Sequence, residues 1–278
     1  MSRQMKPAAK KRLGQHFLRD TGVLDRIARL IKPSARDLII EVGAGDGALS
    51  TRLAASAFRL FAVEVDEDCI ASLTAALAPF PAATVVRHDI LSLDARQLIS
   101  NSLLREHRLR YAGNLPFNIS TRIIEKLLRS EPPAADMTFM VQLEVAERIT
   151  SPPGSKQYGY FSVVCQHLSE VHLAFRVSPA CFVPRPKVVS AVVTIRPISI
   201  RRDPVLESHF VSLTKAAFSH RRKTLANSLR QHAEIGPNST NLLAEAGIDG
   251  ELRAEELSVS DFEKLAQTYQ GLQQHGRR

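Results

Sequence analysis

The sequence of 278 residues contains only three cysteines, no long apolar run and no metal-binding spacing among its nine histidines. Cys69, Cys165 and Cys181 are far apart and odd in number, which favours buried free thiols in a reduced, cytoplasmic protein over a disulfide framework. No uncharged apolar run reaches the roughly 18 residues of a membrane span, and the basic N-terminus lacks the apolar stretch of a signal peptide. We therefore expect no membrane segment and no metal site, and the absence of a heptad pattern favours a monomer.

Positive charge is concentrated in two segments of a chain whose formal net charge is +9. Residues 1–20 have a net charge of +5, residues 201–230 also have +5, and the other 228 residues sum to −1. Two basic segments on a nearly neutral body are typical of a protein that binds nucleic-acid phosphates. The alternative is that these charges only keep exposed faces solvated.

Apolar runs and helical patterns alternate as far as about residue 196, which predicts an α/β fold with a doubly wound, mostly parallel, Rossmann-like sheet. The predicted strands cover residues 38–42, 60–65, 84–87, 109–112, 138–141, 172–177 and 188–195. The early helices are predicted at 47–55, 67–77 and 95–106. Another helix is predicted to begin near Ser120, with Ser120 or Thr121 as its N-cap. The last two strands have no long helix between them, so we expect them to pair antiparallel at one edge of the sheet.

A predicted linker at residues 197–204 contains two prolines and several charges. Beyond it no strand-like run occurs, and periodic segments predict helices at 206–218, 222–231, 240–246 and 260–269. We therefore predict two domains. The first is an α/β domain over residues 1–198 that includes the basic segment 1–20, and the second is a small all-helical domain over 199–278.

Three glycines, Gly43, Gly45 and Gly47, stand at alternate positions after the first strand of the predicted sheet. Glycines there let the backbone bend sharply and approach a ligand closely. Glu64 ends the next strand, where an acidic side chain can bind ribose hydroxyls, and Asp89 ends the third, where a carboxylate can reach an adenine amine. The ordered set predicts a site for an adenosine-containing ligand, and glycines that serve only as turn residues are the alternative.

The spacing of the glycines and the acid before them indicate the type of cofactor. Gly-x-Gly-x-Gly preceded by Glu41 differs from the Gly-x-Gly-x-x-Gly of dinucleotide enzymes. S-adenosylmethionine has no pyrophosphate and has a cationic part, so Glu41 is tolerable beside it, whereas a pyrophosphate would be repelled. The sequence therefore favours S-adenosylmethionine over a nicotinamide dinucleotide.

A second candidate site is the turn Asn114-Leu115-Pro116-Phe117, which follows the predicted strand at 109–112. The Asn114 side-chain oxygen and the Leu115 carbonyl can accept the two hydrogens of a base amine, and Pro116 restricts the backbone. Phe117 can stack on a base that has been flipped out. These groups suit methyl transfer to adenine N6, with Asn114 to Phe117 as the catalytic residues. The alternative is an Asx-turn with a core phenylalanine.

Several motifs occur in the order in which a known enzyme family has them: KRLGQHFL at 11–18, EVGAGDG at 41–47, GNLPFNIST at 113–121, QLEVAER at 142–148 and FVPRPKVVS at 182–190. With these motifs the chain resembles the ribosomal RNA adenine dimethyltransferase family. Three later motifs resemble its small-subunit branch, the kasugamycin-sensitivity methyltransferases: RRKTLANSL at 221–229, GID at 247–249 and RAEEL at 253–257.

The resemblance implies a class I methyltransferase sheet and an enzyme that uses S-adenosylmethionine to dimethylate N6 of two adjacent adenosines. These adenosines lie in a hairpin loop near the 3′ end of 16S rRNA in an immature 30S subunit. Carried over by position, the cofactor-binding residues are His16, Leu18, Gly43, Glu64, Asp89 and Asn114. The family usually has Asn at position 16 and Tyr at position 117. With His16, the resemblance implies a contact to the methionine end of the cofactor that differs from the family's, and Phe117 keeps the stacking ring but loses a hydroxyl.

Basic residues from three segments are predicted to contact the RNA phosphates: Lys10, Lys11, Arg12, Arg185, Lys187, Arg221, Arg222 and Lys223. Two other functions remain open. A small-subunit assembly checkpoint factor that acts mainly by binding is motivated by the basic helical domain, which methyl transfer does not need. Methylation of large-subunit rRNA is the activity of the related macrolide-resistance enzymes, which usually lack a motif like that at 221–229.

Overall fold

The protein is described here by a computed structural model that covers residues 15–198, 203–220 and 222–275. The chain forms two compact units. The first contains the described residues up to Ala146 together with Ser169–Pro197, and the second contains Glu147–Leu168 together with the described residues from Ile198 onward. None of the helices described is long and apolar enough to cross a membrane.

The first unit is built on a seven-stranded sheet, and a two-stranded ribbon accompanies it. The strands are β1 Phe17–Leu18, β2 Asp37–Val42, β3 Arg59–Glu64, β4 Ala83–Arg87, β5 Arg108–Asn114, β6 Asp136–Gln142, β7 Ser169–Val177, β8 Phe182–Val183 and β9 Ser190–Pro197. The order in the large sheet is β4-β3-β2-β5-β6-β9-β7, and β1 pairs with β8. Neighbours from β4 to β6 are parallel, whereas β9 is antiparallel to both β6 and β7. The predicted fold class and the antiparallel edge are confirmed.

The central strand β2 is buried at every position, as is typical of a parallel strand that is covered on both faces. The helices of the chain are α1 Thr21–Ile31, α2 Ser50–Ala54, α3 Glu67–Leu77, α4 Asn101–Glu106, α5 Ser120–Leu128, α6 Leu143–Thr150, α7 Tyr160–Leu168, α8 Pro204–Ala217, α9 Leu225–Arg230, α10 Ser239–Ala246 and α11 Val259–His275. The helix predicted at 95–106 is divided, because a 3-10 turn at Ala95–Gln97 precedes α4.

The predicted N-cap of α5 is wrong. The helix begins at Ser120, its N-cap is Ile119, and no side chain caps it. The Ile119 N–H donates to the Pro116 carbonyl at 3.2 Å, so the chain already turns into the helix before Ser120. The Ser120 side chain is buried instead, at 1% exposure, on the same helix as the core residues Ile123 and Ile124.

The second unit is helical and has its own core, which includes Phe210, Leu229 and Phe262. Residues 147–168 belong to this unit, although the sequence analysis assigned them to the α/β domain. The physical reason is α7, whose Val163 lies in this core. The His167 side chain, also on α7, bonds to Glu207 of α8 at 2.8 Å and to Glu263 of α11 at 2.7 Å.

Candidate active site

A cleft of about 820 Å³, including its open mouth, lies at the carboxyl ends of the parallel strands of the first unit. Eight of the predicted site residues line it: His16, Gly43, Glu64, Asp89, Asn114, Leu115, Pro116 and Phe117. The ninth, Leu18, is buried and lines a smaller cavity of about 430 Å³ that shares Gly43 and Asn114 with the cleft.

The glycine loop after β2 lets two strand ends meet closely. Gly43 has a φ of 69°, and a Cβ atom there would lie 3.3 Å from the Asn114 main-chain oxygen. Gly45 has a φ of 57°, and a Cβ there would lie 3.2 Å from the Phe17 ring. Side chains at these positions would strain the backbone and crowd the cleft. Phe17, which lines both cavities, was not among the predicted site residues, although it stands between two of them in the sequence.

Glu64 at the end of β3 is held in place by main-chain donors. One oxygen accepts the Gly45 N–H at 2.8 Å, and the other accepts the N–H groups of Val65 at 2.9 Å and Asp66 at 2.8 Å. The residue is 6% exposed. A carboxylate offers about four acceptor sites, so three backbone bonds leave capacity for a ligand hydroxyl. The geometry is therefore compatible with the predicted binding of ribose.

Asp89 lies in the turn that follows β4 and is exposed at the cleft. Its side-chain oxygen accepts the Leu91 N–H at 2.9 Å, which fixes the carboxylate within its own turn. Ile90 beside it is 7% exposed and also lines the cleft. An acidic acceptor next to an apolar surface suits a flat heteroaromatic ring with an exocyclic amine.

Asn114 at the end of β5 is oriented by the segment that contains β1. Its Nδ2 donates to the His16 main-chain oxygen at 2.8 Å, which fixes the orientation of the amide, since only the nitrogen can donate. Its Oδ1 is buried and has no hydrogen-bond partner among the described residues. Gly113 makes this position possible, because a Cβ there would lie 2.2 Å from the Val42 carbonyl oxygen.

The turn after Asn114 is fixed at both ends. The Leu115 N–H donates to Met140 of β6 at 3.0 Å, and the Pro116 carbonyl accepts from Ile119. The Phe117 ring lies at the cleft with its centroid 5.2 Å from that of His16, at an interplanar angle of 32°. The His16 Nδ1 in turn lies 2.9 Å from the Pro184 carbonyl oxygen, so this nitrogen is the donor.

Glu41 in β2 is a buried acid beside the same cavities. It is 2% exposed, lines the smaller cavity, and its Oε2 has no partner among the described residues. The pKa of Glu41 is raised to about 8, chiefly because burial desolvates the carboxylate; Ser50 opposes the shift, and the nearby Glu64 adds to it. A cation bound in the cavity would favour the ionised form of Glu41, so this buried carboxyl suits a positively charged ligand group.

The predicted RNA-binding residues fall into three groups. Arg185 and Lys187 are exposed between β8 and β9, and Arg222 and Lys223 are exposed between α8 and α9 of the second unit. Lys10, Lys11, Arg12 and Arg221 lie outside the described residues. Within the described ranges, no group of three or more His, Cys, Asp or Glu side chains could hold a metal ion.

Comparison with known proteins shows relatives that match nearly the whole chain. The proteins named ribosomal RNA small subunit methyltransferase A of Xylella fastidiosa and Pediococcus pentosaceus are 41% and 38% identical, over 95% and 93% of this chain and 97% and 89% of their own. A dimethyladenosine transferase from Plasmodium falciparum has a TM-score of 0.75 at 22% identity, covering 92% of this chain and 98% of its own. The 23S rRNA methyltransferase ErmE has a TM-score of 0.69 at 23% identity, covering 91% and 98%. These two structures show a shared fold.

The model of the family described as ribosomal RNA adenine dimethylase matches residues 7–271, a range that extends over both units. The cleft that this match spans has the acidic and glycine residues expected for S-adenosylmethionine. The chain therefore belongs to the ribosomal RNA adenine dimethylase family and is an S-adenosylmethionine-dependent rRNA adenine dimethyltransferase.

Proposed function

We propose that this enzyme dimethylates N6 of two adjacent adenosines in a hairpin loop near the 3′ end of 16S rRNA, in an immature 30S subunit in the cytoplasm. The choice of the small subunit is supported by relatives of about 40% identity that are named for it. The observation that carries the proposal is Asn114 Oδ1, a buried acceptor without a partner among the described residues, on a side chain that lines both cavities.

Three acidic residues would each bind a different part of S-adenosylmethionine. Glu64 would bind the ribose hydroxyls, Asp89 the adenine amine, and Glu41 would lie near the cationic methionine end. When bound, S-adenosylmethionine supplies an electrophilic methyl group whose leaving group is a neutral thioether. His16 and Leu18 complete the predicted cofactor set, and the polar and charged character of the residues fits this molecule.

The target amine requires hydrogen-bond acceptors that increase its nucleophilicity, more than a base that removes its proton. The lone pair of adenine N6 is delocalised into the ring, so the amine is a poor nucleophile. Asn114 Oδ1 and the Leu115 carbonyl would accept its two hydrogens and favour a pyramidal nitrogen with an available lone pair. Pro116 restricts the backbone that carries the Leu115 carbonyl. The methylated N6 would carry a positive charge and is acidic enough to lose its proton to water, so no strong base is needed and positioning provides most of the rate enhancement.

Phe117 would stack on the target base after it leaves its own stack. Its ring already lies at the cleft, against His16. The exposed Arg185 and Lys187 follow β8, the strand that pairs with β1 and so lies near the segment of His16. These cations would hold phosphates that flank the flipped adenosine.

The test uses small subunits that lack the modification. Purified enzyme and tritiated S-adenosylmethionine are added, the rRNA is digested, and labelled nucleosides are identified and mapped. We expect dimethyladenosine at two adjacent positions near the 3′ end of 16S rRNA. Large subunits and fully modified small subunits are the controls. Label in 23S rRNA, or none with folded protein, would overturn the proposal.

A second role, as an assembly checkpoint, is favoured by one observation: all residues that line the cleft belong to the first unit. The basic residues of the second unit are then available for binding alone. An inactive Asn114→Ala protein that still binds immature subunits and delays their maturation would support this role. Normal maturation in its presence would argue against it.

A further inference from the structure

Lys126 on α5 connects two parts of the site that are distant in the sequence. Its Nζ donates to the main-chain carbonyl of Ile90 at 2.5 Å and to that of Leu93 at 2.6 Å. Both acceptors belong to the turn that follows β4 and carries Asp89. The side chain is half-buried.

This turn is a single helical turn that Lys126 caps at its carbonyl end. The Asp89 carbonyl accepts the N–H groups of Ser92 at 3.0 Å and Leu93 at 3.1 Å, and the Asp89 side chain accepts from Leu91. A positive charge at the carboxyl end of such a turn stabilises it, because its carbonyl groups point toward the cation. Lys126 therefore fixes the backbone that presents the Asp89 carboxylate to the cleft.

The other end of this connection is rigid. Ile123, Ile124 and Leu127 anchor α5 in the core at 0–2% exposure. The helix begins at Ser120, directly after the turn Asn114 to Phe117.

The pKa of Lys126 is lowered, chiefly because burial desolvates the ammonium group, while Asp89 and Asp94 oppose this effect.

We infer that Lys126 is a positioning residue for the cofactor, which acts by holding Asp89 where its carboxylate can accept the adenine amine. The inference rests on the proposed assignment of Asp89 to adenine. Because the same side chain joins that turn to α5, it sets the position of the adenine-binding turn relative to the helix that follows the target-binding turn. Lys126 itself would contact neither the methyl group of the cofactor nor the target amine.

The experiment measures cofactor binding directly. Lys126→Met keeps the apolar stem and removes the ammonium group, and Lys126→Arg keeps the charge. Titration calorimetry with S-adenosylmethionine and S-adenosylhomocysteine should give a Kd raised about tenfold or more in Lys126→Met, as expected when a hydrogen bond to a charged group is lost. Lys126→Arg should recover most of the affinity. In turnover, KM for the cofactor should rise while kcat at saturation stays within about twofold.

The matched control is Arg129→Met at the C-cap of the same helix, where the residue is exposed and the guanidinium lies 3.9 Å from Glu125. It should bind the cofactor as the wild type does. A double-mutant cycle with Asp89→Ala separates positioning from general destabilisation, because Lys126→Met should add little once Asp89 is gone. Fully additive effects, or an unchanged Kd in Lys126→Met, would overturn the inference.

Circular dichroism and thermal unfolding of the cofactor-free proteins report whether each variant folds. If Lys126→Met does not fold, Lys126→Gln, which keeps one donor group, takes its place in the same cycle. Binding of S-adenosylhomocysteine needs no RNA, so the result is independent of the proposed rRNA target. A wild type that methylates no 16S rRNA would refute that target and leave the Lys126 measurement valid.

Discussion

At the scale of single residues, the site is marked by buried oxygens that the described residues leave unpaired. Asn114 Oδ1 and Glu41 Oε2 are both in this state and both belong to side chains that line the smaller cavity. A buried acceptor without a partner costs about 1–3 kcal/mol. Such a cost is offset where a ligand supplies the missing donor or positive charge, and the position of both side chains at a cavity makes them functional candidates.

Replacing Asn114 tests whether this residue acts on the target amine or on the cofactor. Asn114→Ala removes the acceptor proposed for the target amine, and we expect kcat to fall by about 100-fold or more, as when other active sites lose one positioned hydrogen-bonding group. Cofactor affinity should change little. Single-turnover methylation of small subunits and calorimetry provide the two measurements, with the exposed Asn101→Ala as the control.

The Asn114 side chain also makes a hydrogen bond that is separate from its proposed contact with the target amine. Asn114 Nδ2 holds the His16 carbonyl, so the alanine variant also releases the segment that contains β1. A large loss of cofactor affinity with normal turnover at saturation would assign Asn114 to the cofactor and not to the target.

Glu41 makes stability depend on pH. Its pKa is about 8 in the folded protein and 4.5 as a free side chain, so between these values the folded state binds more protons. Stability is therefore lost as pH rises from about 4.5 to about 8 and changes little above that. Glu41→Gln removes this dependence, so from pH 6 to pH 9 it should gain about 2–3 kcal/mol relative to the wild type. Urea unfolding at both pH values measures the difference, and parallel curves would show that Glu41 ionises normally.

Eight of the residues that line the cleft could be predicted from the sequence, because they stand at strand ends and in recognisable motifs. Gly43, Glu64 and Asp89 lie at or just after the ends of three successive strands, and parallel strands bring such positions to one edge. Lys126 could not be identified in this way. Its contacts reach a turn more than 30 residues earlier in the chain, and they depend on how α5 packs.

At the scale of elements, strands were predicted better than helix ends. The apolar runs of β2 and β3 are buried on both faces and leave little ambiguity. Helices α1 and α7 were not predicted, although Asp20 caps α1 by accepting from Val23. The ribbon of β1 and β8 has two residues in each strand, so it has no periodicity of its own. Tertiary burial of Phe17 and Phe182 accompanies this pairing, and no local pattern indicates it.

At the scale of the whole molecule, the boundary between the units does not follow the order of the chain. The linker near residue 198 was predictable from its prolines and charges, and the second unit includes the chain from Ile198 onward. The assignment of residues 147–168 to the second unit was not predictable, because the apolar face of a helix does not show which core it packs into. The pairing of His167 with Glu207 and Glu263 supplies this information, and it is visible only in three dimensions.

The distribution of charge gives the last prediction. If the exposed cations contact rRNA phosphates, Arg222→Ala/Lys223→Ala and Arg185→Ala/Lys187→Ala should each weaken binding to immature small subunits. Each lost phosphate contact should also reduce the slope of log K against log salt by about 0.7–0.9. Each pair removes two contacts and should thus lower the slope by about 1.4–1.8, and filter binding between low and physiological salt measures it.

A control must change the net charge equally without removing contacts. Arg105→Ala/Arg129→Ala removes two exposed cations from the first unit, away from both predicted groups in the sequence. General attraction between a basic protein and RNA would make this control flatten the slope as much as the other pairs do. An unchanged slope for Arg222→Ala/Lys223→Ala would mean that these residues face solvent in the complex. A loss of turnover confined to Arg185→Ala/Lys187→Ala, with binding retained, would instead assign that loop to placing the target base, since contacts that only position a substrate affect kcat more than affinity.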